Sequence, residues 1–405
     1  MPFRIALSGL NASQADLNVT ANNIANTQTT GYKGSRTEFA DLYAVSLQGT
    51  SNNASGNGVR VAAVTQQFSQ GNIEFTDSNL DLAISGQGMF IMSDDGALSY
   101  SRAGSFQMNR DGFVVNSQQQ RLQVYPPLVG GTFNTGGLTD LRLQTTDSAP
   151  SATETVEYVL NLPGNASEPA VIPFSANDPN SFNHATSLTL FDSLGATHTG
   201  TMYFNKTANA NEWEARLFID GNDTGAVQTL QYSNSGILQT PVGGLLSFPT
   251  FTPTTGAAAM NVTVDLSNST QYGSNFSVNS VSQDGFTTGR LIGIDIDETG
   301  IVQARFTNGN SVALGQVAIA NFSNPQGLQQ LGNTQWAETF ASGQSLRGQA
   351  GNSGFGLIQS GALEGANVDV TEQLVQMITA QRNFQANAQM ISTADSITQT
   401  IINIR

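Results

Sequence analysis

Four stretches of this chain carry residue types that could do chemistry. Asp220-Gly221-Asn222-Asp223-Thr224-Gly225 sets oxygen ligands at tight spacing, as a calcium loop does. It lacks the full frame of such a loop and its closing glutamate, so it reads as a plain turn. Asp295-Ile296-Asp297-Glu298 places two carboxylates on one face of a strand, a pairing used for hydrolysis, but a solvated strand edge running into a turn is the commoner origin of that pattern. Gly351-Asn352-Ser353-Gly354-Phe355-Gly356 has neither the lysine of a phosphate loop nor dinucleotide spacing, and reads as a flexible connector toward the C-terminal helix. His184 and His198 have no metal-ligand partners nearby in sequence, and both read as surface or turn residues.

The inventory excludes more than it suggests. Zero cysteines removes disulfides, zinc-thiolate sites and thiol nucleophiles together, and two histidines leave no material for triads or metal clusters. The reading is therefore a non-enzyme, with no catalytic, cofactor-binding or metal residue assigned. Only 11% of the 405 residues are charged, the net charge is −15, and Lys33 and Lys206 are the only lysines. A basic nucleic-acid face is excluded on those numbers. No run of apolar residues is long enough to span a membrane. Ser8, Gly9, Asn11, Ser13, Gln14 and Asp16 interrupt the N-terminal apolar pattern, so no cleaved secretion signal is expected. Lysine-poor, cysteine-free and amide-rich, the composition is that of an exported bacterial surface protein.

Two amphipathic ends frame a β-rich middle. Phe3, Ala6, Leu10, Leu17 and Ile24 step by heptads, with Ser13 and Thr20 in the intervening places. At the other end Val370, Leu374, Met377, Phe384, Ala388 and Ile391 form a stripe with Gln381 at its polar position, and Ala394, Ile397, Ile401 and Ile404 continue it with a drift. Asp369 or Thr371 would cap this helix, which spans about 50 Å at ~1.5 Å per residue. Between them, short apolar stretches such as Leu80–Ile84, Gly88–Met92, Arg290–Asp297 and Val312–Phe322 are separated by turn pairs, including Asp95-Gly96 and Asp111-Gly112.

Charge locates an insert. Residues 151–288 carry 11 acids and 2 bases, so the middle third holds −9 of the net −15. The fold class is mainly β with terminal α-helices: paired N- and C-terminal coiled-coil helices, a β-rich core domain and an inserted outer β domain. The division is 1–30 and 361–405 for the helical part, 31–71 and 350–360 for a connector, 72–147 and 285–349 for the core domain, and 148–284 for the acidic insert. Each terminal helix alone has little to bury against. They either pair within one chain on a sheet or order only on joining further copies.

Ser8-Gly9-Leu10-Asn11-Ala12, Asn22-Asn23-Ile24-Ala25-Asn26 and Thr30-Gly31-Tyr32-Lys33 resemble the N-terminal signature of the bacterial flagellar rod and hook proteins. Gly361-Ala362-Leu363-Glu364, Asn367-Val368-Asp369, Glu372-Gln373-Leu374, Met377-Ile378 and Ala380-Gln381-Arg382-Asn383-Phe384 resemble the matching C-terminal signature, with Gly365-Ala366 as a departure. Leu80 to Gly88 and Tyr100 to Phe106 are similar to the family's β core, and the acidic insert is similar to the outer domain of its hook members. The resemblance implies an extracellular hook subunit, polymerising into a flexible tube that passes torque from rod to filament. A rigid distal-rod paralogue and a secreted β-rich adhesin are the alternatives.

It further implies export, uncleaved, by the flagellar type III apparatus, and contacts with a hook cap, the distal rod protein and a hook–filament junction protein. No cofactor is implied. The terminal helices of neighbouring copies would form the inner tube. On the N-terminal side this places Phe3, Ala6, Leu10, Leu17, Asn22, Asn23, Ile24 and Asn26 at the subunit interface. On the C-terminal side it places Leu374, Met377, Gln381, Phe384, Ala388 and Ile391 there. The three asparagines are read as donors and acceptors between helices or subunits, and Gly31 as a positive-φ turn.

Overall fold

A computed structural model describes residues 2–42, 56–128, 131–143 and 147–403, which leaves the expected helix position Ile404 outside the described residues. Two helices bracket the chain, α1 (Pro2–Ala25) and α2 (Val370–Asn403), and strands make up most of the regular structure between them. The chain divides into two units. One comprises Met1–Gln144, Gly293–Ala304 and Val312–Arg405, and the other Thr145–Ile292 with Arg305–Ser311.

The β part of the first unit owes its layout to strands buried on both faces. Strands Ser311–Asn321, Arg121–Tyr125, Met89–Asp94, Ala97–Ser101 and Gln335–Ala337 lie side by side in that order. Successive side chains of a strand point to opposite faces, so a strand covered on both sides reads as an unbroken apolar run. Met89-Phe90-Ile91-Met92 and Val317-Ala318-Ile319-Ala320 are such runs. Phe90, Met92, Val317 and Ile319 enter one cluster with Leu82, Ile84, Phe106 and Leu122. Met89, Ile91, Ala318 and Ala320 enter the other with Tyr100, Phe322 and Trp336. Asp95 and Gly96, both at positive φ, turn the hairpin between Met89–Asp94 and Ala97–Ser101, the geometry that Asp-Gly pairs favour. Gly351 to Gly356, expected as a flexible connector, is a fastened loop in which the Gly351 N–H donates to the Gly356 carbonyl and the Phe355 N–H to that of Asn352.

The second unit is a sandwich. A meander of His184–Phe191, Thr197–Lys206, Glu212–Ile219, Asn222–Tyr232 and Leu238–Thr240 faces a sheet centred on Thr155–Pro163. Val156, Tyr158, Leu160 and Leu162 alternate inward from the latter and meet Met202, Phe204, Trp213, Ala215 and Leu217 from the former. The unit includes residues 285–292 and 305–311, assigned above to the core domain. Bridges of Ser148 to Gly289 and Ser151 to Phe286, and the Thr307 N–H bond to the Arg290 carbonyl, draw them in. Asp220 and Gly221, at positive φ, form the hairpin turn between Glu212–Ile219 and Asn222–Tyr232.

The histidines of this unit depart from their expected surface positions. His184 stacks flat on Phe276, ring centroids 4.4 Å apart. His198 is buried with both ring nitrogens against carboxylates, Nδ1 at 2.6 Å from Asp220 Oδ2 and Nε2 at 3.3 Å from Asp192 Oδ2. Asp192 is further held by the N–H groups of Leu194 and Ala196 and the Thr255 hydroxyl. Burial disfavours the His198 imidazolium, but the two carboxylates outweigh it and lift its pKa above the ordinary value. Its stabilisation is therefore complete below the unfolded pKa of about 6.5, and is lost as pH rises through the higher folded value. Burial lowers His184 instead, which gives that residue the opposite slope. The second unit of His198→Phe should accordingly lose the part of the melting-temperature decline that the wild type shows as pH rises past about 6.5. An unchanged pH profile would assign the slope to other groups.

Candidate assembly site

The terminal helices pack along each other, and α1 also rests on the hairpin of Ser35–Asp41 and Val59–Gln66. The buried face of α1 differs from the expected one. Ala6, Ser13 and Thr20, seven apart, are buried with Ala12 and Asn23, whereas Leu10, Leu17 and Ile24 are half-buried and Phe3 is 52% exposed. Small residues win because side chains of α2 such as Asn387 press directly on the α1 backbone. A Cβ on Gly9 would lie 2.7 Å from Asn387 Oδ1. The Ser13 hydroxyl satisfies itself on the Gly9 carbonyl one turn back, so its burial leaves no unmet polar group.

On α2 the facing seam runs through Gln373, Met377, Ala380, Phe384, Asn387, Ile391 and Ala394, an uninterrupted alternation of four and three. Met377, Phe384 and Ile391 are half-buried there as expected, and Ala388 lies at the seam's edge. Leu374 and Gln381 are exposed, and Val370, Val375, Ile378, Met390, Ile397 and Ile402 join them on faces that the partner helix leaves open. The Asp369 carboxylate caps this helix by accepting the Glu372 N–H at 3.0 Å. The expected asparagine donors divide their work. Asn23 Nδ2 bonds the Ser35 carbonyl at 2.7 Å and Gln373 Oε1 of α2 at 3.0 Å, while its Oδ1 accepts the Ser35 N–H. Asn22 Oδ1 accepts the Tyr32 hydroxyl, and Asn26 Nδ2 bonds the Asn22 carbonyl within its own turn. Asn23→Ala should destabilise the first unit by about 1–2 kcal/mol, since it strands partly buried backbone groups of Ser35; a chemical denaturation curve superimposable on the wild type would contradict this.

Below the helices, the three signature segments meet at one buried ionic centre. Lys33 Nζ lies 2.6 Å from Glu364 Oε1, and Arg102 Nη1 lies 2.9 Å from Glu364 Oε2, with the Lys33 and Glu364 side chains wholly buried. The remaining capacity of each group goes to backbone. Lys33 donates to the Ser69 carbonyl, Arg102 to those of Ile84 and Gly86, and Glu364 accepts the Gly71 N–H. Burial draws the Lys33 ammonium below its ordinary pKa, Glu364 opposing and Arg102 adding to the effect. Gly31, at φ +68°, donates its N–H to the Glu364 carbonyl at 2.7 Å, and any side chain there would strike the backbone of Arg102 and Ala103. Asn367 adds a second pin: its Oδ1 takes the Gly34 N–H, and its Nδ2 reaches the Gln67 and Ser69 carbonyls. Sequence reasoning missed the triad as a site, although one of only two lysines in an acidic chain lay in a quoted motif.

This arrangement fixes two helices against each other and against the β core, and leaves apolar side chains facing outward. Comparison with known proteins agrees with that role. Family profiles match residues 3–33 (flagella basal body rod protein), 83–167 (flagellar hook protein FlgE/F/G D1 domain), 161–286 (flagellar basal body protein FlaE D2 domain) and 359–404 (flagellar basal body rod FlgEFG protein C-terminal). The flagellar hook protein FlgE of Salmonella typhimurium is 38% identical, and that of Escherichia coli K12 37%, each with all of both chains covered. The FlgE of Borreliella burgdorferi is 32% identical over 98% of each chain. The crystal structure of Helicobacter pylori flagellar hook protein FlgE2 shares the fold, with a TM-score of 0.56 at 13% identity over 72% of this chain and 100% of that one. Full-length identity at this level, together with profile matches that span both terminal segments and the β domains, means that the chain belongs to the flagellar hook protein family.

Proposed function

We propose that this chain builds the flagellar hook by stacking its α1–α2 pair against those of neighbouring copies, with the β units carried outside the helical layer as a joint that bends while passing torque. The observation that carries this reading is the apolar surface left open on the paired helices. Phe3, Ile5 and Leu7 on α1, and Leu374, Val375, Ile378, Met390, Ile397 and Ile402 on α2, are exposed in the single chain. Clustered apolar exposure on that scale marks a surface awaiting a partner, and burial of one such side chain contributes about 1.5–3 kcal/mol. Of the residues expected at the interface, Phe3, Leu374 and Gln381 suit this outward role best. Ala6, Asn23, Met377, Phe384 and Ile391 support it by setting the pair, and Leu10, Leu17, Ile24 and Ala388 lie between the two faces.

The hook cap, the distal rod protein, a hook–filament junction protein and the type III export apparatus are the further partners of this reading, and the outside of the cell its place. They rest on the family resemblance. The test separates inward from outward faces. Leu374→Asp with Ile378→Asp should leave the melting temperature of the monomer within about 2 °C of the wild type, because surface substitutions cost little. The same variant should fail to form sedimentable polymer. Normal polymer from that variant would sink the proposal.

A further inference from the structure

One cluster of titratable groups in the second unit joins segments that the sequence keeps apart. His198 lies near the start of Thr197–Lys206, Asp192 in the turn that precedes that strand, and Asp220 in the turn that follows Glu212–Ile219. Residues 249–260 form a cover over them, closed on itself by the bridge of Phe251 to Met260. The Phe251 ring lies 5.8 Å from that of His198, the Thr255 hydroxyl donates to Asp192 Oδ2 at 2.9 Å, and the Ala258 N–H donates to the Ser193 hydroxyl at 2.9 Å. Residues 224–264 contain no charged side chain, so the cover adds none. Asp192 and Asp220 are the charges that act on the imidazole.

An imidazole carries two N–H groups only while it is protonated. Both have a carboxylate here, Asp220 on Nδ1 and Asp192 on Nε2. When the proton leaves, one nitrogen turns a lone pair on a carboxylate oxygen, so one of the two bonds breaks whichever tautomer forms. The carboxylates differ in what they can put in its place. Asp192 is wholly buried, and solvent does not reach it to replace a donor lost from Oδ2; Asp220 is 42% exposed, and water can take over from the ring. The neutral ring therefore keeps its N–H on Nε2, toward Asp192. Burial opposes ionisation of both carboxylates, but their hydrogen bonds outweigh it and hold them below the ordinary range, so both stay charged while the histidine titrates. Asp220 in turn pins its own turn: its Oδ1 accepts the Thr199 N–H at 2.8 Å, and its N–H donates to the Thr199 carbonyl at 2.9 Å. It does so at φ +51°, a conformation that costs a residue with a side chain.

We propose that Asp192, His198 and Asp220 form a proton-operated clasp, which ties the Asp220-Gly221 turn to the buried Asp192 while His198 is charged and frees that turn once it is neutral, the cover staying fastened throughout. Burial lowers the pKa of His198 and the two carboxylates raise it by more, so the clasp is shut below about pH 6.5 and opens as pH rises through the higher folded value. NMR of the ¹⁵N-labelled full-length monomer tests each part. The chain has only two histidines, and His184→Gln identifies the ring signals of His198. Above its pKa, the ring nitrogens of His198 should report the Nε2–H tautomer. Through the same titration the amide protection factors of Thr199 and Asp220 should fall by about tenfold, while those of Leu194, Ala196 and Ala258 hold. Asp220→Asn, at a partly exposed position, should lower the pKa of His198 and leave the Thr199 protection factor low and independent of pH. The wild-type tautomer and protection factors test the clasp without any variant. An Nδ1–H tautomer would overturn the proposal, as would Thr199 protection that is constant through the titration or a cover that loosens together with the turn.

Discussion

Glu364→Ala should destabilise the first unit by about 3–5 kcal/mol, because it leaves Lys33 and Arg102 buried with no counter-charge between them. For a unit of this size that corresponds to a melting-temperature drop on the order of 10 °C. Glu364→Gln keeps an acceptor for the Gly71 N–H but not the charge, and should recover only a small part of the loss. The apolar triple variant of Lys33→Met, Arg102→Met and Glu364→Leu is the informative control. Exchanging a buried ionic triad for apolar side chains is often neutral or stabilising. Here it should remain destabilising, because the Gly86 carbonyl and the Gly71 N–H lose these partners, while the Ser69 and Ile84 carbonyls each lose one donor and keep the amides of Asn367 and Gln70. Recovery of the triple variant to wild-type stability would show that the triad's backbone bonds contribute nothing.

Ala380→Glu should separate the helices without unfolding the β core. Ala380 is 1% exposed on the α2 seam, so a larger side chain there has no free space beside α1. A carboxylate there must either be desolvated or push α1 away, at a cost of about 3 kcal/mol. Amide exchange should quicken through α1 and α2 and stay unchanged in strands such as Met89–Asp94 and Ser311–Asn321, while polymer formation is lost. Ala380→Ser is the matched control. Its hydroxyl can bond one turn back, as the Ser13 hydroxyl bonds the Gly9 carbonyl, so stability should change by less than about 1 kcal/mol. Polymer of normal yield from Ala380→Glu would remove the helix pair from the assembly mechanism.

Local patterning revealed what depends on local patterning. Heptad spacing located both helices to within a residue or two, and the apolar runs at Met89 and Val317 located strands whose two faces are both covered. The buried stripe on α1 was harder, because hydrophobicity ranks Leu10 and Leu17 above Ser13 and Thr20. Closeness of the helices reverses that order, and closeness is set by Gly9 and Asn387 on different helices. The ionic centre was illegible for a related reason. Lys33 and Arg102 reach Glu364 across 331 and 262 residues, and no window along the chain contains both partners. His198 looked solitary because Asp192 and Asp220 flank it through strand pairing and a hairpin turn, not through a ligand motif.

The distance along the chain between Lys33 and Glu364 also constrains the order of folding. Contacts so remote in sequence carry a large loop-closure cost and form late. A chain released N-terminus first can close its internal hairpins as they emerge, but Lys33 and Arg102 gain their counter-charge only when residue 364 arrives. Glu364 is followed almost at once by the Asp369 cap and by α2. Completing the ionic centre thus depends on the whole chain: a chain that stops before residue 364 lacks both the counter-ion for Lys33 and Arg102 and the helix that α1 packs against.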